Sequence, residues 1–333
     1  MVQDKTFVKE CRKESMSLPT NSVGYFRIRL STVRPNEELP FDIFIHVDQK
    51  MIQYIKQGDK LKSEKIILLH EKDTGESFFV DNKDKDTYRN YVKASMNSST
   101  MSNLEKANIL RESSIAILED LFENPDVGQA IEDTRPVIAD LLTFMENAPE
   151  SIGNLISLSG HDFYTYNHSF DVSIYSLGLG QALGFDKATM EELGLGSLFH
   201  DVGKRMVSLD ILCKRGPLDD AEWTQMRMHP QYGLKILNEH YNISEGIKAA
   251  CYEHHESWGG GGYPQDITAQ EIHPFARIVA LTDTYDAMTT QRSYNVPMRP
   301  VDALNMMKEK LKHKYDPDML KAMYSVLFKL DAA

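Results

Sequence analysis

Short alternating runs of apolar and polar residues dominate the first ninety residues and predict strands. Residues 25–30 alternate Phe26, Ile28 and Leu30 with two arginines, the period-two pattern of a half-buried strand. The apolar runs 41–47 and 76–80 predict two more strands, while residues 63–72 have a more helical pattern. This part of the chain therefore predicts a small α/β domain, with one sheet and one or two helices.

Beyond about residue 100 the apolar residues recur at helical spacing, three and four positions apart. Helices are expected at 104–124, 134–147, 171–185, 189–201 and 221–240, with two more in the tail from 300. The polar stretch 93–103 has no periodicity and separates the two patterns. We expect an α+β chain: a small N-terminal α/β accessory, or regulatory, domain over 1–95, a helical linker over 96–145 and an all-α bundle over 146–333.

Ionisable side chains lie on the predicted inward faces of this helical part. His168 precedes Val172 by four residues and Leu179 by eleven, which places it on the apolar face of its helix. His254 and Asp283 extend similar apolar stripes. One inward histidine is more often an ordinary core residue than a ligand, but an inward aspartate is rarer, because an unpaired buried carboxylate is very costly.

The pair His200-Asp201 ends another apolar segment, so several buried ionisable groups need compensation, which a metal ion provides. Imidazole and carboxylate without thiolate suit iron, manganese or zinc and not an iron–sulfur cluster. Counting His255 beside His254, the candidate ligands number six, more than the four of one tetrahedral site. With one bridging carboxylate they suit two adjacent metals, the usual arrangement for activating water against a phosphate ester.

Five segments carry a resemblance to a known family. They are "YTYNHSFDV" at 164–172, "HDVGK" at 200–204, the helix pair at 213–237 with its His-Pro step, "HHESWGGGGYP" at 254–264 and "RIVALTDTYDAMTTQRSY" at 277–294. Over about 150–300 the chain closely resembles the HD-GYP subfamily of the HD-domain metal-dependent phosphohydrolases. The N-terminal part is similar, more weakly, to a small accessory domain often found ahead of HD-GYP domains.

The resemblance implies a bacterial phosphodiesterase that hydrolyses cyclic di-GMP to pGpG or GMP with two or three metals, commonly iron, with manganese or zinc as alternatives. Position by position, it implies seven metal ligands: His168, His200, Asp201, His229, His254, His255 and Asp283.

The resemblance also assigns roles around the ligands. Asp201 would bridge the metals and, with Lys204, act in catalysis. Lys204 and Arg292 would bind phosphate. Gly262, Tyr263 and Pro264 form the loop that shapes the substrate site and docks GGDEF-type cyclases.

The chain departs from the family pattern at several positions. Tyr164 stands where members with a third metal carry glutamate, so we expect two metals. Gly259, Ser293 and Asn295 replace the usual aspartate, proline and basic residue of the substrate-binding motifs. Weakened hydrolysis is therefore an open alternative, as is a catalytically weak or inactive signalling module that binds nucleotide or a protein partner. A third alternative is an HD-type hydrolase of another phosphorylated nucleotide, which the GYP loop disfavours.

Composition limits the partners. The 333 residues carry a net charge of −12, which disfavours long-range attraction to duplex nucleic acid or an anionic membrane. No apolar run approaches the roughly 18 residues that span a bilayer. The three cysteines are widely spaced and odd in number, which argues against a disulfide framework and fits a cytoplasmic location.

Overall fold

The structure, a computed structural model, describes residues 24–48, 50–62, 78–123, 126–147, 151–158, 165–214, 216–290 and 296–331. Contacts group the chain into two compact units. The smaller unit includes residues 16–125 and 144–155, and the larger includes 126–143 and 156–333. The three-part domain division stays a prediction.

The strands of the smaller unit form one antiparallel sheet. In the described residues they are β1 Tyr25–Ile28, β2 Ile43–Val47, β3 Lys50–Ile55 and β4 Phe78–Asp81, in the spatial order β1-β4-β2-β3. Three of them coincide with predicted strands, and β3 was not predicted. As an edge strand, β3 buries only Ile55 fully and so lacks a clean alternation of apolar residues. The helical prediction at 63–72 lies outside the described residues.

Helices account for most of the remaining described chain. They are α1 Lys85–Met96, α2 Asn103–Glu123, α3 Val127–Asn147, α4 Ser151–Ser157, α5 Thr165–Ala182, α6 Lys187–Leu198, α7 Leu209–Leu212, α8 Asp220–Met226, α9 His229–Asn238, α10 Glu245–Glu253, α11 Pro274–Thr289, α12 Pro300–Glu309 and α13 Pro317–Asp331. The predicted α+β class, a small sheet domain followed by a helical bundle, is confirmed.

Aromatic side chains fill the core of the smaller unit. Phe41 and Tyr88 are almost completely buried there. The Tyr88 hydroxyl lies 2.9 Å from the Thr32 hydroxyl, so the polar end of this ring is satisfied inside the core. Helices α1 and α2 pack beside β1 and β4 and cover this core.

The larger unit is built on the stripes that helical spacing predicts. Val172 and Leu179 of α5 and Ile278 and Leu281 of α11 are buried in one apolar cluster. Periodicity alone predicts one helix over 221–240, but the structure has the helix pair that the resemblance implies, α8 and α9. The helix divides because Pro230 lacks an amide hydrogen and its ring would clash with the carbonyl of Met226 in a continuous helix.

Two further features bear on the composition argument. In the described residues no helix is long and apolar enough to cross a membrane. Cys213 is disulfide-bonded, while Cys251 is free and buried. The expectation from cysteine spacing was therefore wrong for Cys213, because distance along the chain does not limit which cysteines meet in the fold.

Candidate metal centre

Five elements of the larger unit bring the seven predicted ligands together. His168 lies on α5, His200 and Asp201 in the turn after α6, and His229 begins α9. His254 and His255 follow α10, and Asp283 lies on α11. Buried apolar residues on α5, α6, α10 and α11 pack these elements together, so the ligands meet inside the bundle.

The ligands fall into three overlapping groups, each with ligand atoms within 4.8 Å of one another, and the group of His200, Asp201 and His254 joins the other two. We call His168, His200 and Asp283 the first half of the centre, and His229, His254 and His255 the second half. Five of the seven side chains are buried, whereas His255 and Asp283 are partly exposed. The accessible side of the centre is therefore the side on which these two residues lie.

Asp201 lies between the two halves. Its Oδ2 atom is 3.3 Å from His200 Nε2 and 3.7 Å from His168 Nε2. Its Oδ1 atom is 3.2 Å from His229 Nε2 and 3.8 Å from His254 Nε2. One carboxylate thus presents one oxygen to each half.

Backbone carbonyls fix the ring orientation of three histidines. In each, Nδ1 lies within hydrogen-bond distance of a carbonyl oxygen in the preceding turn. The pairs are His200 with Ser197 (2.6 Å), His229 with Met226 (2.8 Å) and His254 with Cys251 (2.9 Å). A carbonyl only accepts, so Nδ1 carries the hydrogen and each neutral ring presents a lone pair at Nε2.

These lone pairs converge on one another and on Asp201. His229 Nε2 and His254 Nε2 are 3.3 Å apart, and burial lowers the pKa of His229 to about 4. Within the described part of the chain, the buried atoms His200 Nε2 and Asp201 Oδ1 have no hydrogen-bond partner. Buried acceptors that face one another are unfavourable unless a cation lies between them, so these residues fit a metal centre.

Sequence reasoning missed Asp286, which orients the first half. His168 Nδ1 lies 2.6 Å from Asp286 Oδ2, and the Thr290 hydroxyl donates to Asp286 Oδ1 at 2.9 Å. Burial lowers the pKa of His168, but Asp283 and Asp286 outweigh it and raise that pKa to about 9. The signal was a second aspartate three residues after Asp283, on the same face of α11.

Lys204 lies in the short 3-10 turn that follows Asp201. Its Nζ atom is 2.5 Å from Asp201 Oδ2. Burial raises the pKa of Asp201, but Lys204 and His200 outweigh burial and hold that pKa well below its ordinary range.

The approach of this turn to α9 requires a glycine. A Cβ atom on Gly203 would lie 1.9 Å from the carbonyl oxygen of His229 and 2.4 Å from the amide nitrogen of Gly233. Gly203 therefore lets the turn bearing Asp201 reach the second half.

The loop with Gly262, Tyr263 and Pro264 adjoins the second half. The Tyr263 ring is stacked on the His255 ring, with centroids 4.7 Å apart and an angle of 23°. A Cβ on Gly262 would lie 2.4 Å from the amide nitrogen of Ser257, so only glycine fits there. Pro264 continues the loop beside the stacked ring, whereas the predicted phosphate ligand Arg292 lies outside the described residues.

Comparisons with known proteins identify the family of the chain. Residues 150–319 match the HD domain family. The chain is 32% identical over 209 residues to cyclic di-GMP phosphodiesterase PA4108 of Pseudomonas aeruginosa, covering 62% of this chain and 50% of that protein. It is 31% identical over 228 residues to 3′3′-cGAMP-specific phosphodiesterase 3 of Vibrio cholerae, covering 64% and 48%. The chain thus spans about half the length of these curated relatives.

A solved structure, that of Bd1817, a HDG"Y"P protein from Bdellovibrio bacteriovorus, resembles the chain with a TM-score of 0.71 and 20% identity. The match covers 91% of this chain and 99% of that one. At this identity the likeness shows a shared fold.

Proposed function

The chain belongs to the HD domain family, and from that premise we propose that it is a metal-dependent phosphodiesterase acting on a cyclic dinucleotide, with cyclic di-GMP as the first candidate. The observation that carries the proposal is Asp201, whose two oxygens face two separate sets of nitrogen ligands. That arrangement suits two neighbouring metals, for which iron is the first candidate and manganese or zinc the alternatives.

The two halves would each hold one metal, with Asp201 shared. When bound, two such cations supply Lewis acidity that activates water and neutralises charge on a phosphate ester. The neutral rings of His229 and His254 keep the second half ready to bind at neutral pH, because burial lowers both pKa values. In the first half, Asp286 fixes His168 with Nε2 directed at Asp283 and Asp201.

Lys204 is the residue of this chain that would bring a positive charge to the reacting phosphate. Its ammonium lies at Asp201 and is about a third exposed, so it can contact both the centre and an entering phosphate. There it would offset the negative charge that develops on the phosphate and hold a proton for the leaving oxygen. Arg292 would add a second phosphate contact, as the family resemblance implies.

The substrate could be either of two cyclic dinucleotides. The similar curated proteins are named for cyclic di-GMP in one case and 3′3′-cGAMP in the other, which supports 3′3′-cGAMP as the second candidate. Docking of a GGDEF-type partner on the loop at 262–264 and a cytoplasmic location remain part of the proposal.

Turnover tests the function directly. Protein purified without oxygen and loaded with iron or manganese is mixed with cyclic di-GMP or 3′3′-cGAMP, and the linear dinucleotide and mononucleotide products are separated by chromatography. We expect hydrolysis of at least one substrate, and its loss in Lys204→Ala, which leaves all seven ligands in place.

The control is metal content measured on the same samples. An absence of product from protein that holds two metals per chain would contradict the phosphodiesterase proposal. It would favour the signalling-module alternative, in which nucleotide binds without being cleaved.

A further inference from the structure

Arg227 stacks on the loop that covers the second half of the centre. It directly follows α8, and its guanidinium carbon lies 4.8 Å from the centroid of the Tyr263 ring. Tyr263 in turn stacks on the candidate ligand His255. Arg227 is thus the third side chain in a stack of contacts that begins at the centre with His255.

The guanidinium of Arg227 has no acidic partner in the described ranges. Other arginines of the larger unit do: Arg135 pairs with Glu192 at 2.8 Å, Arg277 with Asp316 at 3.1 Å and Arg299 with Asp302 at 2.7 Å. No hydrogen bond of the described chain uses the guanidinium of Arg227 either, and the residue is exposed. With one face against a ring, its edge N–H groups remain available, and such an edge binds an oxyanion through two parallel hydrogen bonds.

Arg227 also lies on the accessible side of the centre. Its stack starts at His255, which with Asp283 is a partly exposed ligand. A phosphate bound at Lys204 would lie beside Asp201, whereas Arg227 contacts the Tyr263 ring and none of the seven candidate ligands directly. The two cations are therefore suited to two different phosphates of one molecule.

A cyclic dinucleotide is such a molecule, because its ring contains two phosphodiesters. We propose that Arg227 binds the second, uncleaved phosphodiester while the first lies at the centre. This inference rests on the proposed function for its substrate class. It makes Arg227 a specificity residue that favours cyclic dinucleotides over nucleotides with a single phosphate.

Binding calorimetry tests the role of Arg227. Cyclic di-GMP and GMP are titrated into metal-loaded protein carrying Lys204→Ala, which slows turnover, with and without Arg227→Gln. Loss of one charge-assisted hydrogen-bond pair should weaken cyclic di-GMP binding by about tenfold or more. GMP, which has the same base and one phosphate, should weaken by less than about twofold.

Two more variants control for charge and geometry. Arg299→Gln removes one exposed guanidinium whose partner is on its own helix, and it should leave both affinities unchanged. Arg227→Lys keeps the charge without the planar fork and should lie between the wild type and Arg227→Gln. The metal content of Arg227→Gln should equal that of the wild type. If Arg227 acted only by positioning His255, the same substitution would lower the metal content.

Three results would overturn the inference: unchanged cyclic di-GMP affinity in Arg227→Gln, equal weakening of GMP, or loss of metal together with affinity. The inference would also be overturned if neither the Lys204→Ala parent nor wild-type protein bound cyclic di-GMP. If wild-type protein binds cyclic di-GMP tightly but forms no product, only the hydrolase proposal is contradicted. The comparison of Arg227→Gln with its parent still tests the role of Arg227.

Discussion

Each half of the candidate centre contains a histidine oriented through Nδ1, and the acceptors of His168 and His229 differ in charge. In the first half His168 meets the Asp286 carboxylate at 2.6 Å, whereas in the second half His229 meets the Met226 carbonyl at 2.8 Å. A carboxylate carries charge and stabilises imidazolium, so the pKa of His168 rises to about 9. A carbonyl carries no net charge, so burial dominates and lowers the pKa of His229 to about 4. Similar burial therefore gives opposite protonation at neutral pH.

The largest effect on both halves is expected from removing the charge of Asp201, the residue that they share. Asp201→Asn keeps the shape but removes the charge that faces His200 and His229. We expect loss of metal from both halves and a fall in turnover of about a thousandfold, the upper range for removing one preorganised electrostatic group from a catalytic site. Metal analysis and product chromatography measure the two effects. Retention of one tightly held metal would contradict a shared role for Asp201.

The close approach between the halves can be broken without touching a ligand. Gly203→Ala would force a Cβ atom against the His229 carbonyl oxygen, so we expect a loss of about 3 kcal/mol in the free energy of unfolding. Urea denaturation of the metal-free protein measures it. The control is Gly184→Ala, where the space is open but φ is +77°, with an expected cost of about 1 kcal/mol. Equal costs would mean that the contact at Gly203 relaxes freely.

Changing the acceptor of His168 should affect one half selectively. Asp286→Asn keeps a buried polar group but removes its charge, so we expect metal affinity in the first half to fall by about 10- to 100-fold. The second half should change by only a few-fold. Titration against a competing chelator resolves the two affinities, with the exposed pair variant Asp302→Asn as control. Equal weakening of both halves would show that Asp286 does not act through His168.

The smallest perturbation is pH alone. Because a metal must displace the proton of His168, affinity of the first half should fall by roughly tenfold for each pH unit below a pKa of about 9. The second half should hold its metal until protons compete near the pKa values of about 4 for His229 and about 3 for His255. Metal content after equilibration in buffered chelator checks this. Loss of both metals over one pH range would refute the assignment of different acceptors.

Much of this centre could be predicted because ligands follow apolar stripes. His168, His254 and Asp283 each extend an inward face that helical spacing reveals, and the HD domain match over 150–319 confirms the family. Asp286 lies on the same helix as Asp283, but spacing cannot tell which histidine of another helix it meets. That contact depends on how α5 and α11 pack.

Other features depend on tertiary context in the same way. In the sequence Arg227 cannot be told from an ordinary solvated surface arginine, and only its position over Tyr263 distinguishes it. The edge strand β3 was missed because its burial is weak on both faces. Periodicity across 221–240 predicts one helix, but a single proline outweighs it and the segment forms the helix pair α8 and α9.

The position of Asp201 has a thermodynamic consequence for the proposed centre. Because one carboxylate serves both halves, occupancy of one site changes the free energy of filling the other, and this linkage is reciprocal. The coupling free energy is the same whichever site fills first, so the two metals would not follow independent binding isotherms. Asp286→Asn lowers the metal affinity of the first site directly. To the extent that it also reduces the coupling through Asp201, it changes the affinity of the second site by the same free energy.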